Sequence, residues 1–262
     1  MLIVEGICKR FGGLQALSEC FANVERNKII ALIGPNGSGK TTLFHCITGV
    51  YKPDGGKVIF DGEDITGLRP HEVAQKGLVR TFQITRVFRT LTVLDNLLVS
   101  PAGQKGEKVS NVFTRGRIIR QQERDNTNKA IELLTMLELV SSKDELAGNL
   151  SYGEQKKLEI ARALMIDPKI LLLDEPAAGV STEAMNTMVR LIREINKNLG
   201  TTFFLVEHRM NFVLSLAEHI YVLEGGRNLV DGTPHDVVHN PKVIEAYLGT
   251  RKTLDTSKSI GR

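Results

Sequence analysis

The pattern of apolar and polar positions changes twice along the chain. Over the first third, short apolar runs alternate with turn signals: Leu2–Cys8, Leu17–Val24, Lys28–Ile33 and, after Pro53-Asp54-Gly55-Gly56, Lys57–Phe60, closed by Asp61-Gly62. Short runs bounded by Gly, Pro and Asp predict strands, with one helix from about Thr41 to Thr48. From Thr92 to Met165 helical spacing takes over, including Asn128–Leu139. Strand and helix then alternate again: Ile170–Leu173 (strand), Ser181–Leu199 (helix), Thr202–Val206 (strand), Asn211–Leu216 (helix), His219–Leu223 (strand) and a Gly225-Gly226 turn. This order predicts one domain over residues 1–250. Its mixed α/β core takes in about 1–84 and 166–250, and a helical insertion occupies about 85–165. The polar end, Arg251–Arg262, predicts a flexible tail.

The 262 residues suffice for a sizeable core, and 42% hydrophobic with 24% charged residues is ordinary for a soluble globular protein. A diffuse net charge of +4 does not argue for nucleic acid, which calls for a clustered basic face. The densest basic stretch, Lys105 to Lys129, reads as a solvated insertion or as a face toward anionic lipid. Cys8, Cys20 and Cys46 are odd in number and lack C-x-x-C spacing, so they read as reduced thiols in a reducing compartment. The start, MLIVEGICKRFGG, lacks a secretory pattern, and no apolar stretch approaches the ~20 residues that span a bilayer. Any membrane role is therefore expected to come through a partner.

Chemistry enters with GPNGSGKT, residues 34–41, which matches G-x-x-x-x-G-K-[ST] between the strand KIIALI and the helix TTLFHCIT. Gly34, Gly37 and Gly39 let the backbone wrap so that N–H groups point at a β-phosphate. Lys40 would neutralise β/γ charge and the Thr41 hydroxyl would ligate Mg²⁺. Pro35, Asn36, Ser38 and Thr42 complete the predicted nucleoside-triphosphate-binding loop. A second element, ILLLDE at 170–175, ends a buried strand in two carboxylates. Two adjacent acids beside a phosphate repel it and each other unless Asp174 serves a Mg²⁺ ion; Glu175 is then placed to orient or deprotonate water.

A third stretch, LSYGEQ at 150–155, reads locally as an S-x-x-E capping box opening an amphipathic helix. Gly153 is a poor helix former in a first turn, and helix starts also bind phosphate. Two other patterns carry less. Asn196-Lys197-Asn198-Leu199 begins like the guanine-reading N-K-x-D, but Leu199 replaces the aspartate. His235 and His239 have zinc-like i, i+4 spacing, but Thr233-Pro234-x-Asp236 before them is a helix start, so a surface helix is expected.

These motifs, in this order, resemble the ATP-binding subunits of ABC transporters from Leu2 to about Gly249. LSYGEQ stands where that family carries its signature, usually written LSGGQ. Gln83 in VRTFQ resembles the family's Q-loop glutamine, Glu175 its catalytic carboxylate and His208 in FFLVEH its switch histidine. Phe11 in KRFGG resembles the aromatic residue that stacks on adenine. The resemblance implies an α/β fold: a phosphate-loop ATPase core of mixed sheet plus helices, an inserted α-helical subdomain and an N-terminal antiparallel β subdomain. It implies ATP hydrolysis with Mg²⁺ held by Thr41, Gln83 and Asp174, and catalysis by Glu175, His208 and Gln83. It also implies head-to-tail pairing with a second ATPase subunit, homo- or heteromeric, in which Leu150, Ser151, Tyr152, Gly153, Glu154 and Gln155 face the partner's ATP.

Within the family the likeness is to ATPase subunits importing branched-chain or other hydrophobic amino acids. It is carried by VRTFQITRVFRTLTVLDNLLV, AGNLSYGEQKKLEIARAL, DEPAAGV, VEHRM and NPKVIEAYLG. Subunits for urea or short-amide import, or lipopolysaccharide export, share much of this pattern. Implied partners are transmembrane permease subunits, contacted by residues from Gln83 to about Ser100, and indirectly an extracytoplasmic substrate-binding protein. The implied location is cytoplasmic, peripheral on the inner face of the cell membrane. A soluble ABC-type ATPase of DNA repair or translation is the rival class. Such proteins often carry two ATPase units or a long coiled-coil insertion, whereas this chain has one phosphate loop and no heptad run. A phosphate-loop kinase or GTPase conflicts with LSYGEQ. Departures from the pattern are Tyr152 for the first signature glycine, Glu154 for Gln, and Val180-Ser181-Thr182 where the family commonly has Leu-Asp-Pro or Leu-Asn-Pro.

Overall fold

Leu2–Phe11 (β1) and Leu14–Val24 (β2) form an antiparallel hairpin turned over Gly12-Gly13, with Phe11 paired to Leu14. Alternation explains the first half of β1: Leu2 and Val4 are buried while Ile3 and Glu5 face out. Register shifts follow at Gly6, whose φ of +58° marks the irregularity. Next come Ile29–Ile33 (β3), the helix Lys40–Ile47 (α1), Gly55–Phe60 (β4), Glu63–Asp64 (β5), Pro70–Gln75 (α2) and Leu78–Arg80 (β6). The computed structural model describes residues 1–81, 87–101 and 116–247.

Helices follow at Val93–Leu98 (α3), Gly116–Met136 (α4) and Tyr152–Leu164 (α5), then Ile170–Asp174 (β7), Thr182–Leu199 (α6), Thr202–Val206 (β8) and Met210–Leu216 (α7). His219–Glu224 (β9), Arg227–Gly232 (β10) and Pro234–Val238 (α8) come next, and residues 241–247 are again helical. Two compact units result. One comprises Met1–Arg80, Lys169–Ala177 and the chain from Asn196 on; the other comprises Thr81–Pro168 and Ala178–Ile195.

The first unit holds both sheets. Among the described residues one is antiparallel, in order β2-β1-β4-β5, and the other runs β10-β9-β3-β8-β7-β6. In the second sheet β9, β3, β8, β7 and β6 are parallel and β10 closes the edge antiparallel to β9. Every residue of β3, β7 and β8 is buried, as parallel strands covered on both faces require, which is why these segments are unbroken apolar runs. The core beneath them joins Leu2, Val4, Leu32, Phe44, Leu172 and Phe204, with the Phe44 and Phe204 rings 5.0 Å apart. Gly225 and Gly226, at φ of +52° and +78°, make the two-residue turn between β9 and β10.

The second unit is helical. Asn96 is fully buried and ties its opening segment together: it accepts from the Phe88 N–H at 2.8 Å and donates to the carbonyls of Phe88 at 3.0 Å and Thr92 at 2.9 Å. The sequence pattern missed α2, β6 and β10. α2 is six residues long and capped from Arg69, β6 is three residues long with one buried side chain, and β10 is an edge strand with no buried residue. None presents the periodicity by which elements are recognised. The predicted tail, Arg251–Arg262, lies outside the described residues. No helix among the described residues is long and apolar enough to cross a membrane, and Cys8, Cys20 and Cys46 are free thiols.

Candidate functional site

The phosphate loop leaves the carboxyl end of β3, flanked in the sheet by β8 and β9, the end at which open α/β sheets bind ligands. Two of its glycines are dictated by space. A Cβ on Gly34 would stand 2.1 Å from the Leu223 carbonyl oxygen, and one on Gly39 would meet Leu17 Cδ2 at 2.8 Å and the Ala16 carbonyl at 2.9 Å. Gly39 also caps α1 at a φ of +102°. The β9–β10 turn supports the loop from outside, with the Gly226 N–H donating to the Ser38 carbonyl at 3.1 Å. Asn36, Gly37 and Thr41 are exposed, Pro35 and Thr42 half-buried, and Ser38 buried. Lys40 is buried, and its Nζ donates to the carbonyls of Gly34 at 2.8 Å and Pro35 at 2.9 Å. Burial holds its ammonium below the usual lysine range, while the charges of Glu175 and Asp174 oppose that shift. The loop lysine and the strand-end carboxylates thus sense one another.

Asp174 ends β7 with a side chain only 2% exposed, paired to Arg80 Nη2 at 2.5 Å. Its other oxygen, Oδ1, is buried without a hydrogen-bond partner among the described residues. An unsatisfied buried carboxylate oxygen costs on the order of 1–3 kcal/mol or more. It therefore fits a cation or a water held by one. Among the described residues no group of three or more His, Cys, Asp or Glu side chains is placed to hold a metal by itself. A cation at Asp174 would need hydroxyl, water or phosphate oxygens as further donors.

Glu175 follows at a φ of +51°, a left-handed backbone that a glutamate holds only under constraint. Its N–H donates to the Val206 carbonyl at 2.9 Å. Its carboxylate Oε1 lies 3.7 Å from His208 Nδ1, and both side chains reach solvent. Behind them Glu207 is fully buried. Its Oε1 accepts from the Ala177 N–H at 2.7 Å, and its Oε2 from the N–H groups of His208 at 3.0 Å and Arg209 at 3.2 Å. Arg209 Nη1 returns to the Ala177 carbonyl at 2.9 Å.

Phe11 stands beside the β1–β2 turn, 41% exposed, with Tyr51 edge-on at 5.2 Å and the Lys9 ammonium 5.5 Å from its ring centre. His45 of α1 packs on Tyr51 at 4.8 Å. Burial keeps the His45 imidazole below its ordinary pKa, and the charge of Arg80 adds to that.

In the helical unit Ser151 caps α5. Its Oγ accepts from the Glu154 N–H at 3.3 Å, and Glu154 Oε2 accepts from the Ser151 N–H at 2.9 Å and the Ser151 hydroxyl at 2.6 Å. These bonds from Ser151 hold the Glu154 carboxyl below its usual range. Gln155 Nε2 donates to the Leu150 carbonyl at 2.9 Å. Tyr152 lies over Gly179, whose φ is +73° and where a Cβ would come within 3.1 Å of the ring. Lys156 Nζ stands 5.7 Å from the Tyr152 ring centre, and a Cβ on Gly153 would only touch Ala184. Tyr152 is thus a packing partner of the loop after β7.

The structure therefore brings Gly34–Thr42, Asp174, Glu175 and His208 to one end of one sheet, with Phe11 in the same unit. It builds the capped signature helix in the other unit. Gln83 lies outside the described residues, as do residues 105–115 of the basic stretch between Lys105 and Lys129, whose remainder belongs to α4. His235 and His239 stack at 4.4 Å around a short helix that starts at Pro234. Sequence reasoning missed Glu207, Arg80 and Tyr51. A buried glutamate beside a histidine has no spacing signature, and only a Glu embedded at the end of an apolar strand hinted at it.

A family model described as "ABC transporter" matches residues 17–178, more than half of the chain. The chain belongs to the ABC transporter family. A second model, "Branched-chain amino acid ATP-binding cassette transporter", matches residues 227–253. This ABC ATPase is 42% identical to the high-affinity branched-chain amino acid transport ATP-binding protein BraF of Pseudomonas aeruginosa, over 95% of this chain and 98% of that protein. It is 43% identical to a probable branched-chain amino acid transport ATP-binding protein, LivG, of Archaeoglobus fulgidus, over 96% of each. Among solved structures it is similar to a nucleotide-free ATP-binding cassette from an ABC transporter, with a TM-score of 0.81, 38% identity and coverage of 94% of this chain and 98% of that one. As a member of this family the chain is an ATP-hydrolysing ABC ATPase.

Proposed function

We propose that this ABC ATPase powers import of branched-chain or other hydrophobic amino acids through a membrane permease. The observation that carries the reading is the agreement of two parts of the chain. Over 95–96% of its length it follows branched-chain amino acid transport ATP-binding proteins at 40–43% identity, and residues 227–253 separately match a branched-chain cassette family.

The site chemistry supports the same role. Gly34, Pro35, Asn36, Gly37, Ser38, Gly39, Lys40, Thr41 and Thr42 bind the ATP phosphates, with Lys40 exchanging its loop carbonyls for phosphate oxygens. Phe11 stacks on adenine, with Tyr51 bracing its ring. Thr41 and Asp174 would hold Mg²⁺, with Gln83 as the third ligand; when bound, the ion neutralises charge on the β- and γ-phosphates. Asp174 Oδ1, without a hydrogen-bond partner among the described residues, supports that assignment. Glu175 takes a proton from the attacking water, and His208, within reach of Glu175, holds the charge that develops on the γ-phosphate. Leu150, Ser151, Tyr152, Gly153, Glu154 and Gln155 present a helix start to the ATP of a second ATPase subunit. The segment around Phe88, braced by Asn96 and stacked at 4.6 Å by the Arg162 guanidinium, faces the permease. The protein works at the cytoplasmic face of the membrane, served by an extracytoplasmic binding protein.

A tagged pull-down from native membranes, followed by reconstitution of the eluted complex into liposomes, tests the reading. Permease subunits should co-elute, and ATP should drive uptake of labelled leucine, isoleucine or valine. Co-elution of soluble proteins alone, or uptake confined to urea, would overturn it.

A further inference from the structure

We infer that Glu207 is a positioning residue for hydrolysis, a buried carboxylate that locks the loop carrying His208 to the loop that follows Glu175. The inference rests on the roles proposed above for Glu175 and His208.

A fully buried glutamate is costly unless its oxygens are satisfied. Here three backbone N–H groups satisfy them, drawn from two different loops: Ala177 on the β7 side, His208 and Arg209 on the β8 side. Arg209 closes the bridge in the opposite direction by donating to the Ala177 carbonyl. Both polar backbone groups of Ala177 are thus held by the two side chains that flank His208 in sequence. Two residues before Ala177, Glu175 sits in a left-handed conformation that its own side chain does not favour. Strain of that kind persists only where the surroundings over-determine it. The Glu175 N–H bond to Val206 holds one end of the turn, and the Glu207–Ala177–Arg209 bridge holds the other. Together they fix the 3.7 Å approach of the Glu175 carboxylate to the His208 ring.

A residue of this kind affects the chemical step while leaving nucleotide binding intact, because no Glu207 atom is needed at the phosphate loop. Glu207→Gln is nearly isosteric but turns an N–H donor toward a backbone N–H. On the full-length chain, single-turnover hydrolysis should fall between about tenfold and a hundredfold, since small misplacements of reacting groups cost that much. Affinity for a fluorescent ATP analogue should change by less than about twofold, because ground-state binding is untouched. Arg209→Ala removes the return arm without disturbing the carboxylate and should lower the rate in the same direction, which keeps the inference testable if Glu207→Gln folds poorly.

A double-variant cycle separates positioning from general weakening. If Glu207 acts through Glu175, then Glu175→Gln plus Glu207→Gln should be no slower than Glu175→Gln alone, within about threefold, as for residues acting as a unit. Multiplicative losses would overturn the inference, as would an unchanged rate in both Glu207→Gln and Arg209→Ala, or equal losses of rate and affinity. A Glu175→Gln variant that keeps full turnover would instead bring down the proposed role of Glu175, and the inference with it.

Discussion

Lys40 and Glu175 sit in the same electrostatic field yet are proposed to serve different steps. Lys40 is desolvated, and its ammonium is held by loop carbonyls that a phosphate can replace. Lys40→Ala removes that charge from the heart of the loop, so tight ATP binding should disappear in a nucleotide titration; unchanged affinity would refute the phosphate-loop assignment. Glu175 reaches solvent and lies beside His208, as the proposed role of a base for water requires. Glu175→Gln should keep ATP binding but lose at least ~10²-fold in turnover, the size expected for loss of a general base. The two substitutions therefore divide binding from chemistry, and a near-normal turnover in Glu175→Gln would remove it from the mechanism.

The strands and helices explain why these side chains converge. β3 and β7 lie either side of β8 in the parallel sheet, so the loops leaving their carboxyl ends open on the same side, and β8 delivers Glu207 and His208 between them. The signature helix has its own local logic. Ser151 and Glu154 satisfy each other's orphan backbone groups, so Ser151→Ala should cost about 1 kcal/mol of helix stability, the usual worth of such a cap. The Glu154 carboxyl is held below its normal range in the folded state, chiefly by its bond with Ser151. Its contribution is therefore present above the ordinary carboxylate pKa and is lost as pH falls through the lower folded value. Thermal melts should show the difference between wild type and Ser151→Ala narrowing as the solution is acidified through that interval. A gap that widens in acid would contradict the capping role.

For the complete protein, the central issue is that the phosphate loop and the signature helix are proposed to serve different ATP molecules. A Ser151→Arg subunit and a Lys40→Ala subunit each damage one half of every site they form with themselves. Mixed, they should regain turnover in the one composite site that joins an intact loop to an intact helix start. If the mixture forms dimers and regains nothing, head-to-tail pairing is wrong. The covered Gly179 adds a constraint here. Tyr152 already packs on the loop after β7, so the large residue in place of the usual glycine serves its own chain as well as any partner.

Much of this is legible in the sequence itself. GPNGSGKT declares itself because glycine spacing, a preceding apolar strand and a following helix are all local; Gly34 and Gly39 are needed where a Cβ would strike backbone. The unbroken apolar runs at 29–33, 170–174 and 202–206 announce strands buried on both faces, and the S-x-x-E box announces the start of α5. Local chemistry and periodicity determined these features, and they would be read the same way in any chain. What the sequence could not supply were relations between residues far apart in it. The Arg80–Asp174 pair joins positions 94 residues apart, and the Glu207 bridge to Ala177 spans 30. Such contacts depend on strand order in the sheet, which no local pattern encodes. Tertiary packing alone therefore settled which buried acid is paired, which carboxylate oxygen has no hydrogen-bond partner among the described residues, and which backbone groups satisfy Glu207.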